Sequence, residues 1–570
     1  GWSLALSMGV LLCSAAAQAG APPPKLIVAI SVDQFSAGLF EQYRPTFSGG
    51  LARMAGEGVV FPNGYQSHAA TETCPGHSTI LTGRHPSGTG IVANAWYGEP
   101  GDKPQKIYCV SDDSTTVPGR DEGRGPAKLR VSTLGEWLHQ ANAASRTVAV
   151  SGKDRAAITL AGHDPTAVFW WDDEKGFNTY VPAGQSADER LKPVAAFNDE
   201  IARRWAKGPP RWKPIDKRCN ALYGSHAYGA LNLEHRVPPV LPLDPGKPLR
   251  DDKAFKSWLR ASPELDRITL ELAGHLAEQY ELGRRDATDV LAISLSATDY
   301  VGHRYGNQGP EMCEQMAALD RMLGDFLERL DDRKLSYLVV LTADHGAMDA
   351  AERVAERGID AERLPGTEEA FVARLNEAVR DDLNKSLPAK GKLDVDPFYG
   401  DAQALYLTRK VDAKLKPKLI ASARAWLEKE PKIAAVFSKD EALAGLPPAN
   451  KPVDELTLLE RFAESTDAER SGDLQIAWQP YIAAGEPKKI GDTIAGHGSP
   501  WNYDRRVPIV FWWPDARGFE QYLPIETVDI APTLAAIVGV VTPPVDGRCR
   551  DLDRGAASTC ALAKSAPARP

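Results

Sequence analysis

The chain has 570 residues, 43% hydrophobic and 25% charged, which is enough for a large buried core. Length alone leaves open several domains or one large α/β domain with insertions. With 67 Lys+Arg against 76 Asp+Glu the net charge is −9, which excludes the overall basic footprint of a nucleic-acid binder, so an anionic substrate needs a local positive site.

Residues 1–19, GWSLALSMGVLLCSAAAQA, form a short apolar run ending in Ala17-Gln18-Ala19, the small-residue pattern of a secretory cleavage site. It reads as a signal peptide, incomplete at its N-terminus because no basic n-region precedes it. The run is too short to span a bilayer, which takes about 20 apolar residues. The leucines before Cys13 argue against lipid attachment. The mature chain, from residue 20, is therefore expected to be periplasmic or secreted, with no membrane anchor after cleavage. It keeps Cys74, Cys109, Cys219, Cys313, Cys549 and Cys560, an even set that predicts disulfides in an exported protein. Proximity favours Cys549–Cys560; Cys74–Cys109 and Cys219–Cys313 are the next choices.

After the Ala-Pro stretch at 19–24, KLIVAISVDQF (25–35) is a continuous apolar run that ends in Asp33. The same grammar recurs. TVAVSGKDR (147–155) ends in Lys153 and Arg155, DVLAISLSATD (289–299) in Asp299, and LSYLVVLTADHG (335–346) in Asp344 and His345. Such runs suit strands buried on both faces of a parallel sheet. Helical periodicity fills the intervals, as at 263–283 and 312–330. The alternation predicts an α/β fold with a doubly covered, mostly parallel sheet, whose functional groups collect at the carboxyl ends of the strands.

Two stretches break the rhythm. Residues 160–260 carry Pro, Gly and Trp with little periodicity and read as an irregular insertion. From about 351 to 490 charged helices, such as AFVARLNEAVRDDLN (370–384), alternate with a few short strands, which reads as a cap insertion beside the sheet. The core resumes at 496–514 and 528–540, and the Ala/Pro-rich end at 563–570 is expected to fray.

Chemistry concentrates at the strand ends. An aspartate there more often caps a turn or helix, but the set is larger than capping needs. Asp299 and His303 are spaced Asp-x-x-x-His, Asp344 and His345 are adjacent, and His497 lies between glycines. Carboxylate oxygen and imidazole nitrogen are the donors expected for zinc in a hydrolytic site, although they admit other divalent ions. With Asp33 and Thr73 these groups furnish two metals about 3.5–4 Å apart, as in two-metal phosphoryl transfer. The other eight histidines (His68, His77, His85, His139, His163, His226, His235 and His275) read as surface or satisfied core residues.

This ordered set resembles the alkaline phosphatase superfamily, specifically its bacterial phosphatases with a threonine nucleophile, with matching motifs from 33 to about 533. The resemblance implies an alkaline phosphatase-like catalytic domain over 20–570 and two Zn2+ ions. Asp299, His303 and His497 would hold one; Asp33, Asp344, His345 and the Thr73 hydroxyl would hold the other. It further implies that TETCPGH (71–77) is the nucleophile turn, with Thr73 attacking phosphorus and forming a phosphothreonine. Threonine is a favoured N-cap and proline a favoured early helical residue, so Thr73-Cys74-Pro75 also predicts a helix start with Thr73 as its cap. That end of a helix suits a phosphoryl oxygen. Cys74, with no thiolate-activating base beside it, reads as structural.

By the same resemblance Asn94 meets a phosphoryl oxygen, and Lys153 and Arg155 bind the phosphate. Two cations at the end of a buried strand need an anion. The expected partners are small-molecule phosphate monoesters. A nucleotide pyrophosphatase/phosphodiesterase is the nearest alternative; the basic pair speaks against it, because a diester carries less charge. A sulfatase is disfavoured because Cys74-Pro75-Gly76-His77 lacks the Cys/Ser-x-Pro-x-Arg pattern. A non-catalytic, zinc-stabilised binding protein would need the ligands but neither Thr73 nor Asn94.

Overall fold

The computed structural model describes residues 21–239 and 251–566; the signal-peptide segment lies outside them. The centre is a sheet built from β1 (Leu26–Val32), β2 (Val59–Tyr65), β3 (Thr147–Ser151), β4 (Ala167–Asp172), β5 (Gly176–Asn178), β6 (Asp289–Leu295), β7 (Tyr337–Thr342), β8 (Arg506–Trp512), β9 (Phe519–Glu520) and β10 (Ile525–Glu526). Their order is β9-β2-β8-β7-β1-β6-β3-β4-β5, with β10 also on β2. The run β7-β1-β6-β3-β4 is parallel. β8 is antiparallel to both β7 and β2, and β5 is antiparallel to β4. The sheet is thus mostly parallel, as its apolar runs predict.

Both faces are covered. Successive β1 residues alternate between two cores, with Leu26, Val28 and Ile30 in one and Ile27 and Ala29 in the other. All are at most 1% exposed. Each larger aliphatic side chain so buried contributes about 1.5–3 kcal/mol, which is why the runs contain no polar alternation.

The stretch at 160–260 is more regular than its sequence suggests. It contains a 20-residue helix, Ala187–Ala206, capped by Ser186 and interrupted in pattern by Pro193. Only Val194 and Ile201 of this helix are buried, so its apolar stripe is too thin to stand out against the charged residues. A hairpin follows, pairing Gly224–Tyr228 with Leu231–His235.

Within 351–490, four short strands form a separate antiparallel sheet, Phe398–Gly400, Ala404–Leu407, Leu474–Trp478 and Ile433–Ser438 in spatial order. Its own apolar cluster includes Leu375, Leu405, Leu419, Leu427 and Leu474. All three favoured disulfides form: Cys74–Cys109, Cys219–Cys313 and Cys549–Cys560.

Candidate active site

β7, β1 and β6 lie side by side and parallel, with Ser31 opposite Thr342 and Val32 opposite Leu295. The residues that follow these strands therefore emerge together at one edge of the sheet. Asp33, Asp344 and His345 are fully buried there, and Asp299 is 2% exposed. His345 Nε2 lies 3.4 Å from Asp33 Oδ1 and 3.2 Å from Asp344 Oδ2. Among the described residues none of these three atoms has a hydrogen-bond partner, and they lie within 4.8 Å of one another. Three orphaned donors and acceptors, fully desolvated and convergent, are what a bound cation resolves.

A second group adjoins the first. Asp299 and His303 fall on one face of the Ala297–Tyr305 helix. His303 Nε2 is 3.2 Å from Asp299 Oδ1, and His497 Nε2 approaches the same oxygen at 3.4 Å. The His345 and His497 rings stack at 3.5 Å between centroids, which links the two groups. In each of these three histidines Nδ1 faces a backbone carbonyl: Ala495 for His303, Gly346 for His345 and Thr71 for His497. Donating Nδ1–H there leaves Nε2 as the lone-pair nitrogen toward the centre, the tautomer that a metal requires.

The electrostatics agree. Burial, reinforced by Asp299 and Asp344, pushes the Asp33 carboxyl up to about 7. Burial opposes charge on His345, yet Asp344, Asp33 and Asp299 outweigh it and raise the imidazole to about 9. Burial and His345 together push His497 down to about 4. So many carboxylates in one dry place call for added positive charge.

The segment around Thr73 corrects one expectation. The helix runs Thr73–Ile80 with Glu72 at the N-cap, so Thr73 is its first residue and not its cap. The shift arises because Glu72 already has extended backbone, with φ −115° and ψ 163°, while Thr73 is helical. His77, one turn on, ties this helix to both strands: Nδ1 is 2.8 Å from the Thr73 carbonyl and 3.2 Å from Asp344 Oδ2, and Nε2 is 2.8 Å from Ser294 Oγ. Thr73 itself is 1% exposed.

Lys153 caps the Asp154–Ala161 helix after β3, and its ammonium lies 2.6 Å from both Asp33 Oδ2 and Asp299 Oδ2. Lys153 thus neutralises the carboxylates of both groups. Arg155 is different. Among the described residues its side chain has no ion pair; Nη1 makes a 3.4 Å contact with Tyr108 Oη, and Nε is shut off without a partner. A polar cavity of about 270 Å³ opens at Lys153 and Arg155 and is also lined by Arg120, Arg124, Arg260 and Tyr300. A second cavity of about 320 Å³ is lined by Glu72, His497, Tyr406, Phe462 and Trp478, and separates the sheet's edge from the 351–490 region.

Gln34 went unnoticed in the sequence. It adopts φ 67°, from which its backbone N–H donates to Asp344 Oδ1 at 3.1 Å while Nε2 donates to Asp299 Oδ1 at 2.8 Å. One residue therefore orients a carboxylate in each group. Its only sequence signal is its place directly after Asp33.

The remaining clusters are of another kind. His85 Nε2 lies 2.9 Å from Glu526 Oε1 and 3.7 Å from Glu464 Oε1. Burial opposes charge on this half-buried ring, but Glu464, Glu526 and Asp546 prevail and raise it to about 10, which favours the imidazolium among these carboxylates. Asp216 lies near Cys219 and Cys313, whose thiols are consumed by their disulfide.

Sequence and structure comparisons converge on one group. The family described as type I phosphodiesterase / nucleotide pyrophosphatase matches residues 27–500. Alkaline phosphatase PhoK of Sphingomonas sp is 39% identical over 552 residues, covering 95% of this chain and 93% of the relative. Alkaline phosphatase PhoD of Zymomonas mobilis is 39% identical over 543 residues, with coverage of 94% and 89%. The crystal structure of alkaline phosphatase PafA is similar with a TM-score of 0.75 at 29% identity, covering 91% of this chain and 96% of that one.

Proposed function

Because this chain belongs to the type I phosphodiesterase / nucleotide pyrophosphatase family, we propose that it is a zinc-dependent alkaline phosphatase that hydrolyses phosphate monoesters through a phosphothreonine. The observation that carries this reading is the unpartnered, buried trio of Asp33 Oδ1, Asp344 Oδ2 and His345 Nε2, packed against the helix that begins at Thr73. Relatives named alkaline phosphatases support the reaction class.

Asp33, Asp344, His345 and the Thr73 hydroxyl would hold one ion; Asp299, His303 and His497 would hold the other. Zinc bound there supplies Lewis acidity that makes a hydroxyl or a water nucleophilic near neutral pH and stabilises a leaving oxygen. Thr73 Oγ1 loses its proton and attacks phosphorus as the bond to the ester oxygen breaks. The alcohol departs on the His497 side, where the 320 Å³ cavity receives it. Water then attacks the phosphothreonine, releasing inorganic phosphate and restoring Thr73. Arg155 and Asn94 donate to the non-bridging oxygens, as preorganised groups that need no reorientation.

Arg155 favours a monoester over a diester. Its guanidinium lacks an ion pair among the described residues, and a phosphoryl group carrying one more negative oxygen satisfies it better. The three disulfides fit an oxidising compartment, so we read the protein as exported, periplasmic or secreted. No helix of the described residues is long and apolar enough to cross a membrane.

The direct test is Thr73→Ala, assayed for monoester turnover with zinc content measured in parallel. Lost turnover with zinc retained supports the reading; retained turnover removes Thr73 as the nucleophile.

A further inference from the structure

Glu72 occupies the N-cap of the nucleophile helix, yet its side chain makes no capping bond to that helix. Instead Glu72 Oε2 accepts the backbone N–H of Asn94, 22 residues further on, at 2.5 Å. The exchange is reciprocal. Asn94 Oδ1 accepts the Cys74 N–H at 2.8 Å, one of the orphan donors that a helix leaves at its start. The Asn94 carbonyl is engaged as well, by the Cys109 N–H at 2.9 Å. Cys109 directly follows the strand Gln105–Tyr108, which pairs with Ala95–Gly98 directly after Asn94. The two cysteines whose amides grip Asn94 are joined to each other by the Cys74–Cys109 disulfide.

These contacts decide which way the Asn94 amide faces. An N–H donor at the side-chain oxygen fixes that oxygen as Oδ1, since the flipped amide would set NH2 against N–H. Nδ2 is left as the outward donor, on a residue held at its N–H, its carbonyl and its side-chain oxygen. Cys74 directly follows Thr73, so the grip is referenced to the nucleophile itself.

We propose that Glu72 and the Cys74–Cys109 disulfide are positioning groups that hold Asn94 Nδ2 at the phosphoryl oxygen in register with Thr73. The proposal rests on the reading of Asn94 as a phosphoryl donor given above. Each acts through Asn94, where a donor that needs no reorganisation is worth most in the transition state.

The test is a set of double-mutant cycles on the zinc-loaded full-length enzyme, with zinc content checked. Glu72→Ala and the double variant Cys74→Ala/Cys109→Ala are each measured alone and combined with Asn94→Ala. Expected is a loss of about tenfold in monoester kcat/KM for each alone, mostly in kcat. Glu72→Gln, which keeps an acceptor oxygen, should restore most of it, and neither change should lower the rate further once Asn94 is alanine. Should the disulfide-free protein fail to fold, the Glu72 cycle and its Gln rescue decide alone. Losses that add in full to an impaired Asn94→Ala enzyme overturn the positioning role. An Asn94→Ala enzyme with unchanged kcat/KM overturns the phosphoryl contact itself, and the positioning role with it.

Discussion

Gly76 packs so tightly against Asp344 that a Cβ added to it would lie 2.0 Å from the Asp344 carbonyl oxygen and 2.7 Å from its carbonyl carbon. Both are backbone atoms and cannot swing aside. This approach sets the distance between the Thr73 helix and the ligands that follow β7. Gly76→Ala should therefore push helix and strand end apart and lower monoester kcat/KM by about a hundredfold or more, the order associated with an ångström of misplacement. Gly56, where an added Cβ would meet nothing within 4 Å beyond its own helix, is the control: Gly56→Ala should leave kcat/KM unchanged. Similar behaviour of the two variants in rate and thermal melting would refute the spacing argument.

Chelation should abolish turnover and zinc should restore it, because on the proposed reading both the Thr73 hydroxyl and the attacking water depend on the metal to lose a proton. Within that experiment, His497→Ala should bind about one zinc fewer than the parent. His275, whose ring rests near Phe197 and which joins none of the candidate metal groups among the described residues, should tolerate alanine with full zinc content. Zinc analysis after exhaustive dialysis gives the answer; undiminished turnover in metal-free protein contradicts the two-metal reading.

Arg155→Ala should shift substrate preference. Charge-assisted hydrogen bonds are worth about 1.5–3 kcal/mol each, so monoester kcat/KM should fall by about ten- to a hundredfold. Diester hydrolysis should fall much less. The decisive quantity is the ratio of kcat/KM for a monoester and a diester with the same leaving group, at equal zinc occupancy. An unchanged ratio, or a parent enzyme that already prefers the diester, moves the assignment to phosphodiesterase. Lys153→Ala is a poorer probe, since it also strips a cation from Asp33 and Asp299.

His85 predicts a pH signature in stability that is separate from catalysis. Its folded pKa is raised to about 10, above the usual 6.5 of an unfolded histidine. The folded state therefore binds the proton more tightly; the stabilisation is complete below about pH 6.5 and is lost as pH climbs through about 10. The melting temperature of His85→Gln should lie below the parent's by on the order of a few degrees at pH 6.5, and the gap should close toward pH 10. A gap constant across that range would show that His85 does not carry charge in the fold.

What could be read in advance follows from how each feature is encoded. Asp33, Asp299, Asp344 and His345 are visible because each follows a continuous apolar run, and parallel strands bring such positions to one edge whatever the loops between them do. The disulfides were legible from an even cysteine set. Gln34 was not, because its importance lies in a φ of 67° that no composition rule assigns to glutamine. The Lys153 bridge depends on β3 lying beside β6 and β6 beside β1, and a lysine beside an anion site looks the same in sequence whether it faces substrate or carboxylate. The helix Ala187–Ala206 hid because it buries only two apolar residues.

The position of β8 has a consequence for how the molecule is made. This strand, Arg506–Trp512, comes late in the chain yet sits inside the sheet, hydrogen-bonded to β2 on one side and β7 on the other. A polypeptide still emerging from a ribosome or a translocation channel at residue 500 holds β2 and the block β7-β1-β6-β3-β4-β5 with nothing yet made that joins them. Each presents a raw apolar strand edge of the kind that pairs with the wrong neighbour. β8 is the seam that joins β2 to that block, so completion of the sheet has to wait for it.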